Sequence, residues 1–429
     1  MIGAYVYRGN ANGNVPVQRN WRRWNHPRQG SSCPIYVERH SWSSTTVFKA
    51  GLHRRSSAIQ TFERLDGSLV GSFRFALAIV VLFGHSGMPV PSIGGTAAVE
   101  AFFLISGAFM AAAYRRHYSL LSNAGLRFWV SRYLRLWPSY ALLLFLTFLD
   151  FKLFGDRTEG TILGFFRTDE RPLWIDVSVF TLIGQDVASV FIEFHRLLPI
   201  RQAWSVSAEL VFYALVPFLF RATPRLLLAI VISSLFLKVV VQAQIPSFQQ
   251  QIAGLSFDGL AIEGWRLEYF PFWNGFFYFC LGFYGRTLGE KAKVLSAARA
   301  ADLKPLALVA FLIAAFFPQT ASWFGAPGNN IWFDIMVFFI VLNFFDAPDS
   351  KLERLLGSLA YHVYLAHYLA IELVNQTLAT ELMRAGPYFG HVAITLTVVL
   401  LSTAYAFVFD EFAQKRIDRW RLKFFKKAT

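Results

Sequence analysis

The stretch FRFALAIVVLFGHSG, residues 73–87, holds one arginine and one histidine, Arg74 and His85, in an otherwise largely apolar run. They are eleven residues apart. Eleven helical residues turn through about 1100°, which returns to within about 20° of the start. Both side chains therefore share one face of a single helix, roughly 16 Å apart along its axis. A charge and an imidazole are costly in a lipid-facing segment and mark a functional site by default. Histidine is also the side chain best suited to proton transfer near neutral pH.

The rest of the chain has the same character. Of 429 residues, 55% are hydrophobic and 45 are Phe; mean hydropathy is +0.41. The apolar residues fall in runs of about 17–25, the length that crosses a bilayer as a helix. No run alternates in the short segments of an outer-membrane barrel. The fold class is an all-α polytopic membrane protein. Ten spans fit, at about 71–88, 93–113, 132–153, 203–220, 225–243, 270–286, 305–321, 329–346, 357–379 and 388–411.

Charge tests that layout. Net charge is +14, but it divides among short loops and tails, which argues for orientation in a membrane and against nucleic acid as a partner. With the N-terminus inside, the inner loops carry Arg115, Arg116, Arg127, Arg132 and Arg135, then Arg221 and Arg225, then Arg286, Lys291, Lys293, Arg299 and Lys304, then Lys351 and Arg354. Both termini are expected in the cytosol. Segment 173–195 is moderately apolar, but crossing would turn the basic tail outward and bury Asp176, Asp186 and Glu193. It is expected as an interfacial or re-entrant element on the outer side. Residues 1–65 are polar and basic, lack the apolar core of a signal peptide, and are expected as a poorly ordered extension. The membrane domain is expected over 66–414 and a basic cytosolic tail over 415–429. Cys33 and Cys280 form no disulfide framework.

Several further residues carry chemistry. Arg132 and Arg135, in SRYLRLWP, are neighbours on one helix face. They read either as anchors snorkelling to headgroups or as an anion cradle, two guanidinium forks at a helix N-terminus. In WSVSAELVFYALVP (204–217), Glu209 lies inside a span with Tyr213 one turn on. It is either a packed, paired acid or a partner for a base. Glu100 precedes AFFLISGAF, where Ser106 and Gly107 permit close helix approach. His362 and His367 are five residues apart, on different faces, which excludes the i, i+4 pair of a helical metal site. No metal is expected. Tyr361, Tyr364 and Tyr368 form an aromatic stripe. Lys238, Asp334 and Glu372 are intramembrane charges with no partner legible in the sequence.

Taken in order, these motifs resemble the acyltransferase-3 family of integral membrane proteins, which includes O-acetyltransferases of exopolysaccharides, O-antigens and nodulation factors. The resemblance spans about residues 66–412. It rests on Arg74 and His85 in the first span, and on Phe102, Phe103, Ser106 and Gly107 in the second. It continues on Arg132, Arg135 and Pro138, on Trp204, Ser205, Ser207, Glu209, Phe212 and Tyr213, and on Tyr361, Tyr364 and His367. The chain departs from the family pattern in reading Ser-Gly-Ala-Phe for Ser-Gly-Phe and in ending its first motif on a single His.

The resemblance implies transfer of an acyl group, usually acetyl from acetyl-CoA, to a carbohydrate hydroxyl. Acyl-CoA is then a cosubstrate; no bound cofactor is expected. His85 and Glu209 are the expected catalytic residues, with Glu209 orienting His85. Arg74, Arg132 and Arg135 face the donor. Glu100, Ser106, Trp204, Tyr213, Tyr364 and His367 are candidate acceptor or pocket residues. The expected location is the inner (plasma) membrane. The main alternative is a glycan or lipid-linked sugar transporter, or flippase, without acyl-transfer chemistry; against it, no internal repeat is visible.

Overall fold

Two glycines allow a close helix contact in the molecule's interior. Helix α2 (Gly94–His117) packs along α9 (Phe272–Gly289). A Cβ on Gly107 would overlap the Phe279 carbonyl, and one on Gly282 would overlap the Leu104 carbonyl. Small residues let two backbones approach to this degree, the usual basis of helix association in lipid. Gly282→Leu is therefore expected to cost at least about 3 kcal/mol, the upper part of the usual overpacking range. Thermal unfolding of the purified protein reads this, and an unchanged midpoint would sink the packing argument.

The computed structural model describes residues 70–88, 93–154, 172–191, 194–195, 198–252, 264–289, 297–316, 331–344 and 350–427. All belong to the unit Ala58–Thr429. The other unit, Met1–Ser57, and the whole expected extension 1–65 lie outside the described residues.

Each expected span position holds a helix. Besides α2 and α9 these are α1 (Val70–Ser86), α3 (Ala124–Phe154), α6 (Ala203–Arg221), α7 (Pro224–Ile252), α10 (Ala297–Phe316), α11 (Ile331–Phe344), α12 (Lys351–Thr377) and α14 (Pro387–Phe409). The short helices are α4 (Leu173–Thr181), α5 (Gln185–Ala188), α8 (Gly264–Tyr269) and α13 (Ala379–Met383). Among the described residues, five stretches are long and apolar enough to cross a membrane: α2, α3, α6, Pro224–Val241 of α7, and Pro387–Arg421. The protein is an all-α polytopic membrane protein. Large apolar side chains such as Phe145, Ile232, Phe236 and Leu400 stand exposed on these helices, a surface suited to lipid rather than water.

Segment 173–195 is not a continuous helix. Leu182 (φ 67°) and Gly184 (φ 89°) are both left-handed and end α4 after nine residues. A leucine there costs about 1–2 kcal/mol, offset by the bonds that follow. The Ser207 hydroxyl of α6 accepts from the Gly184 and Gln185 amides (3.0 and 3.1 Å) and donates to Asp186 (2.8 Å). Gln185 Nε2 donates to the Tyr140 hydroxyl of α3 at 2.7 Å. Asp186, whose charge weighs against crossing, is thus buried and held; burial raises its pKa against the lowering effect of the Ser207 bond. Glu193 lies outside the described residues.

At the C-terminal end, α14 runs through a π-helical turn, Asp410–Gln414, into α15 (Lys415–Lys427). The tail expected from 415 onward is thus helical, and it packs against α3.

Candidate functional site

His85 is the last residue but one of α1, and it is exposed. Its face of α1 packs against α12. There the sequence LAYHVYLAHY brings Tyr364, His367 and Tyr368 to one side, at the i, i+3 and i+4 positions of adjacent turns. His85 Nδ1 and the Tyr368 hydroxyl are 2.9 Å apart. The imidazoles of His85 and His367 stack, with centroids 5.4 Å apart and planes at 25°. His367 is fully buried behind His85. Its Nδ1 donates to the Tyr364 carbonyl at 2.6 Å. That bond fixes the proton on Nδ1 and leaves Nε2 as an acceptor; Nε2 is buried and makes no hydrogen bond. The Tyr364 hydroxyl meets Ser205 of α6 at 2.7 Å and donates to the Gln202 carbonyl at 3.2 Å. This group therefore joins α1, α12 and the start of α6.

Glu209 belongs to a different group. It accepts from the Tyr213 hydroxyl at 2.8 Å, and that hydroxyl lies 3.3 Å from Ser106 Oγ. The guanidinium groups that act on it are those of Arg74 and Arg135. The same two arginines act on His362, whose Nδ1 lies 2.9 Å from Ser139 Oγ of α3. Arg74 sits eleven residues before His85 on α1. Glu209 thus groups with Arg74 and Arg135, and His85 meets His367 and Tyr368 at the position expected for Glu209. The side chains that hydrogen-bond the Glu209 carboxyl are Tyr213, one turn away, and Ser106 of α2, while the charges of Arg74 and Arg135 act on it electrostatically.

Arg132 and Arg135 sit on α3, but not at its N-terminus. The helix begins at Ala124, two turns before Arg132. The helix-dipole argument for an anion cradle therefore fails, because that field is confined to the first turn. The LRFW segment before them continues the helical pattern into α3, and the two arginines act through their side chains alone. Arg132 is buried, and its guanidinium lies over the Phe128 ring at 5.6 Å.

A third group corrects the unpartnered charges. Lys238 of α7 pairs with Glu100 of α2 at 2.7 Å and donates to the Tyr278 hydroxyl at 2.8 Å. Asp334 of α11 interacts with Tyr278, Glu100 and Lys238. Four helices meet at this network, and sequence separation alone hid it. Glu372 accepts from Gln376 at 2.9 Å. Trp204 packs against Phe103, Tyr269 and Phe270, with centroids 6.4, 4.6 and 5.1 Å away.

The model of the acyltransferase-3 family, described as an acyltransferase domain, matches residues 71–409. The chain belongs to that family. No curated protein and no solved structure matches it.

All eleven residues singled out from the sequence lie within the matched acyltransferase domain. In this acyltransferase Tyr368, expected only as part of an aromatic stripe, meets His85. Its signal was its place directly after His367 in an aromatic stripe, but contact with His85 depends on how α1 meets α12. Ser205 and Gln202 join this group through the contact of the start of α6 with Tyr364 of α12.

Proposed function

We propose that this acyltransferase moves an acyl group, acetyl in the first instance, from acyl-CoA to a hydroxyl of an exported or cell-surface carbohydrate. One observation carries the reading: an exposed imidazole, held through Nδ1, stands one helix length from a set of arginines. The arginines suit the phosphates of a cytosolic donor. The imidazole suits deprotonation of an acceptor hydroxyl.

The chemistry is written on His85. When Nδ1–H donates to the Tyr368 oxygen, Nε2 carries a free lone pair. Nε2 takes the proton of the sugar hydroxyl as its oxygen attacks the thioester carbonyl. The C–S bond then breaks, the acyl group stays on the sugar oxygen, and the proton passes from His85 to the leaving thiolate. The neighbouring His367 stays neutral at that moment, because two stacked imidazolium ions would repel. Tyr364 and Trp204 supply aromatic faces beside the reacting group, while Ser106 stands with Tyr213 and Glu100 pairs with Lys238. Glu209, with Tyr213, holds Arg74 and Arg135 toward the donor instead of orienting His85.

The proposed setting is the inner membrane, with ten spans, both termini cytosolic, the catalytic domain over 66–414, the extension 1–65 before it and the tail 415–429 after it. Cysteine labelling at Gly328 and near residue 425 tests this. Gly328 is expected to label only from outside and the tail only from inside. An outward tail would overturn the ten-span arrangement.

The reaction itself is tested by comparing the acetyl content of surface polysaccharide with and without the gene. Loss of acetyl groups with glycan still displayed is expected. Loss of the glycan with its acetyl content unchanged would instead support transport without chemistry.

A further inference from the structure

Arg421 lies beyond the residues that match the family, on the basic helix α15. An arginine in such a helix ordinarily faces water or headgroups. This one is 3% exposed. Its Nη1 donates to the Ser131 carbonyl of α3 at 3.1 Å, and its Nη2 pairs with Asp418 one turn earlier at 2.9 Å. Ser131 directly precedes Arg132. The guanidinium of Arg421 therefore enters the side of α3 where Arg132 and Arg135 stand, and both act on it as like charges.

Among the described residues, three guanidinium groups gather here against one carboxylate, Asp418, which also accepts from Gln414 at 3.3 Å. Arg132 is 7% exposed. The Nε–H groups of Arg132 and Arg421 are buried and make no hydrogen bond. Buried like charges with unused donors are strongly unfavourable by themselves. A multiply charged anion removes both costs at once, and forked donors from two helices suit a phosphate group.

We propose that Arg421 joins Arg132 and Arg135 in a phosphate-binding site, so that α15 carries a specificity residue for a phosphate-bearing ligand. In its fullest form this rests on the donor reading above, with the phosphates of coenzyme A as the ligand. An anionic lipid headgroup presents the same chemistry.

The test uses the full-length protein in phosphatidylcholine nanodiscs, with sodium pyrophosphate and coenzyme A as separate probes. Pyrophosphate is expected to raise the unfolding temperature of the wild type, and Arg421→Gln is expected to lose that rise. Coenzyme A is expected to bind Arg421→Gln about tenfold more weakly, the effect of losing one charge-assisted bond. Asp418→Asn separates this from a merely structural role. Removing the competing carboxylate is expected to tighten coenzyme A severalfold, whereas a residue that only pins α15 would lose binding when its partner is removed. Should Arg421→Gln not fold, Asp418→Asn decides alone: unchanged or weaker binding overturns the proposal.

Nanodiscs containing phosphatidylglycerol distinguish the source. If the headgroup is the ligand, that lipid stabilises the wild type but not Arg421→Gln. Pyrophosphate binding that depends on Arg421, without binding of coenzyme A, keeps the site and refutes the donor reading. Equal responses of wild type and Arg421→Gln to all three ligands overturn the site itself.

Discussion

His85→Gln is expected to abolish acyl transfer in purified membranes while the protein inserts and folds as the wild type does. His85 is exposed at the end of α1, where its ring stacks on His367, and a glutamine side chain is short enough to occupy the same place. The polar contact of His85 is with Tyr368, at 2.9 Å. Glutamine preserves a hydrogen bond to that hydroxyl but cannot take up and release a proton near neutral pH. A general base commonly supplies about 10²–10⁴-fold in rate, and the loss is expected within that range. Tyr368→Phe is expected to give a smaller loss, because it frees the Nδ1 position without removing the base. The measurement is transfer of labelled acetyl groups to polysaccharide, set beside the unfolding temperature. Transfer near the wild-type rate in His85→Gln would make this residue a hydrogen-bonding group and end the catalytic assignment.

Arg132→Ala combined with Arg135→Ala is expected to act on the donor. Each charge-assisted bond to a phosphate is worth about 1.5–3 kcal/mol, so two lost bonds correspond to roughly 10²-fold or more in binding. That loss should appear in KM for acyl-CoA more than in kcat, since the arginines hold the donor before and during transfer alike. Arg135→Lys should recover only part of it, because an ammonium lacks the planar fork. Arg135 also acts on Glu209 and His362, so the unfolding temperature must be read beside the kinetics. Unchanged donor dependence in the double variant would return both residues to the role of membrane anchors.

The sequence determined by itself that this is a helical membrane protein, because apolar runs of spanning length have one economical use, a helix in lipid. It also determined that Arg74 and His85 share a helix face. That follows from the 3.6-residue turn, and both lie on α1. The motif series was likewise legible as a string, and the family match over 71–409 agrees with it.

What the string could not determine is which helix faces which. Lys238 finds Glu100 across 138 positions, and Tyr368 finds His85 across 283. The resemblance implies Glu209 as the residue that orients His85; in the folded bundle it hydrogen-bonds Tyr213 and feels the charges of Arg74 and Arg135. The start of α3 differs from the expected span for a related reason: Arg127 and Arg132 interrupt the apolar run, yet the helix has already begun at Ala124. Periodicity fixes direction within one helix. Contact between helices is decided by where their surfaces permit close approach, at Gly107 and Gly282 for α2 and α9, and at Gly71 against the Glu353 backbone for α1 and α12. The last of these crossings brings His367 and Tyr368 to His85, and only the folded bundle contains it.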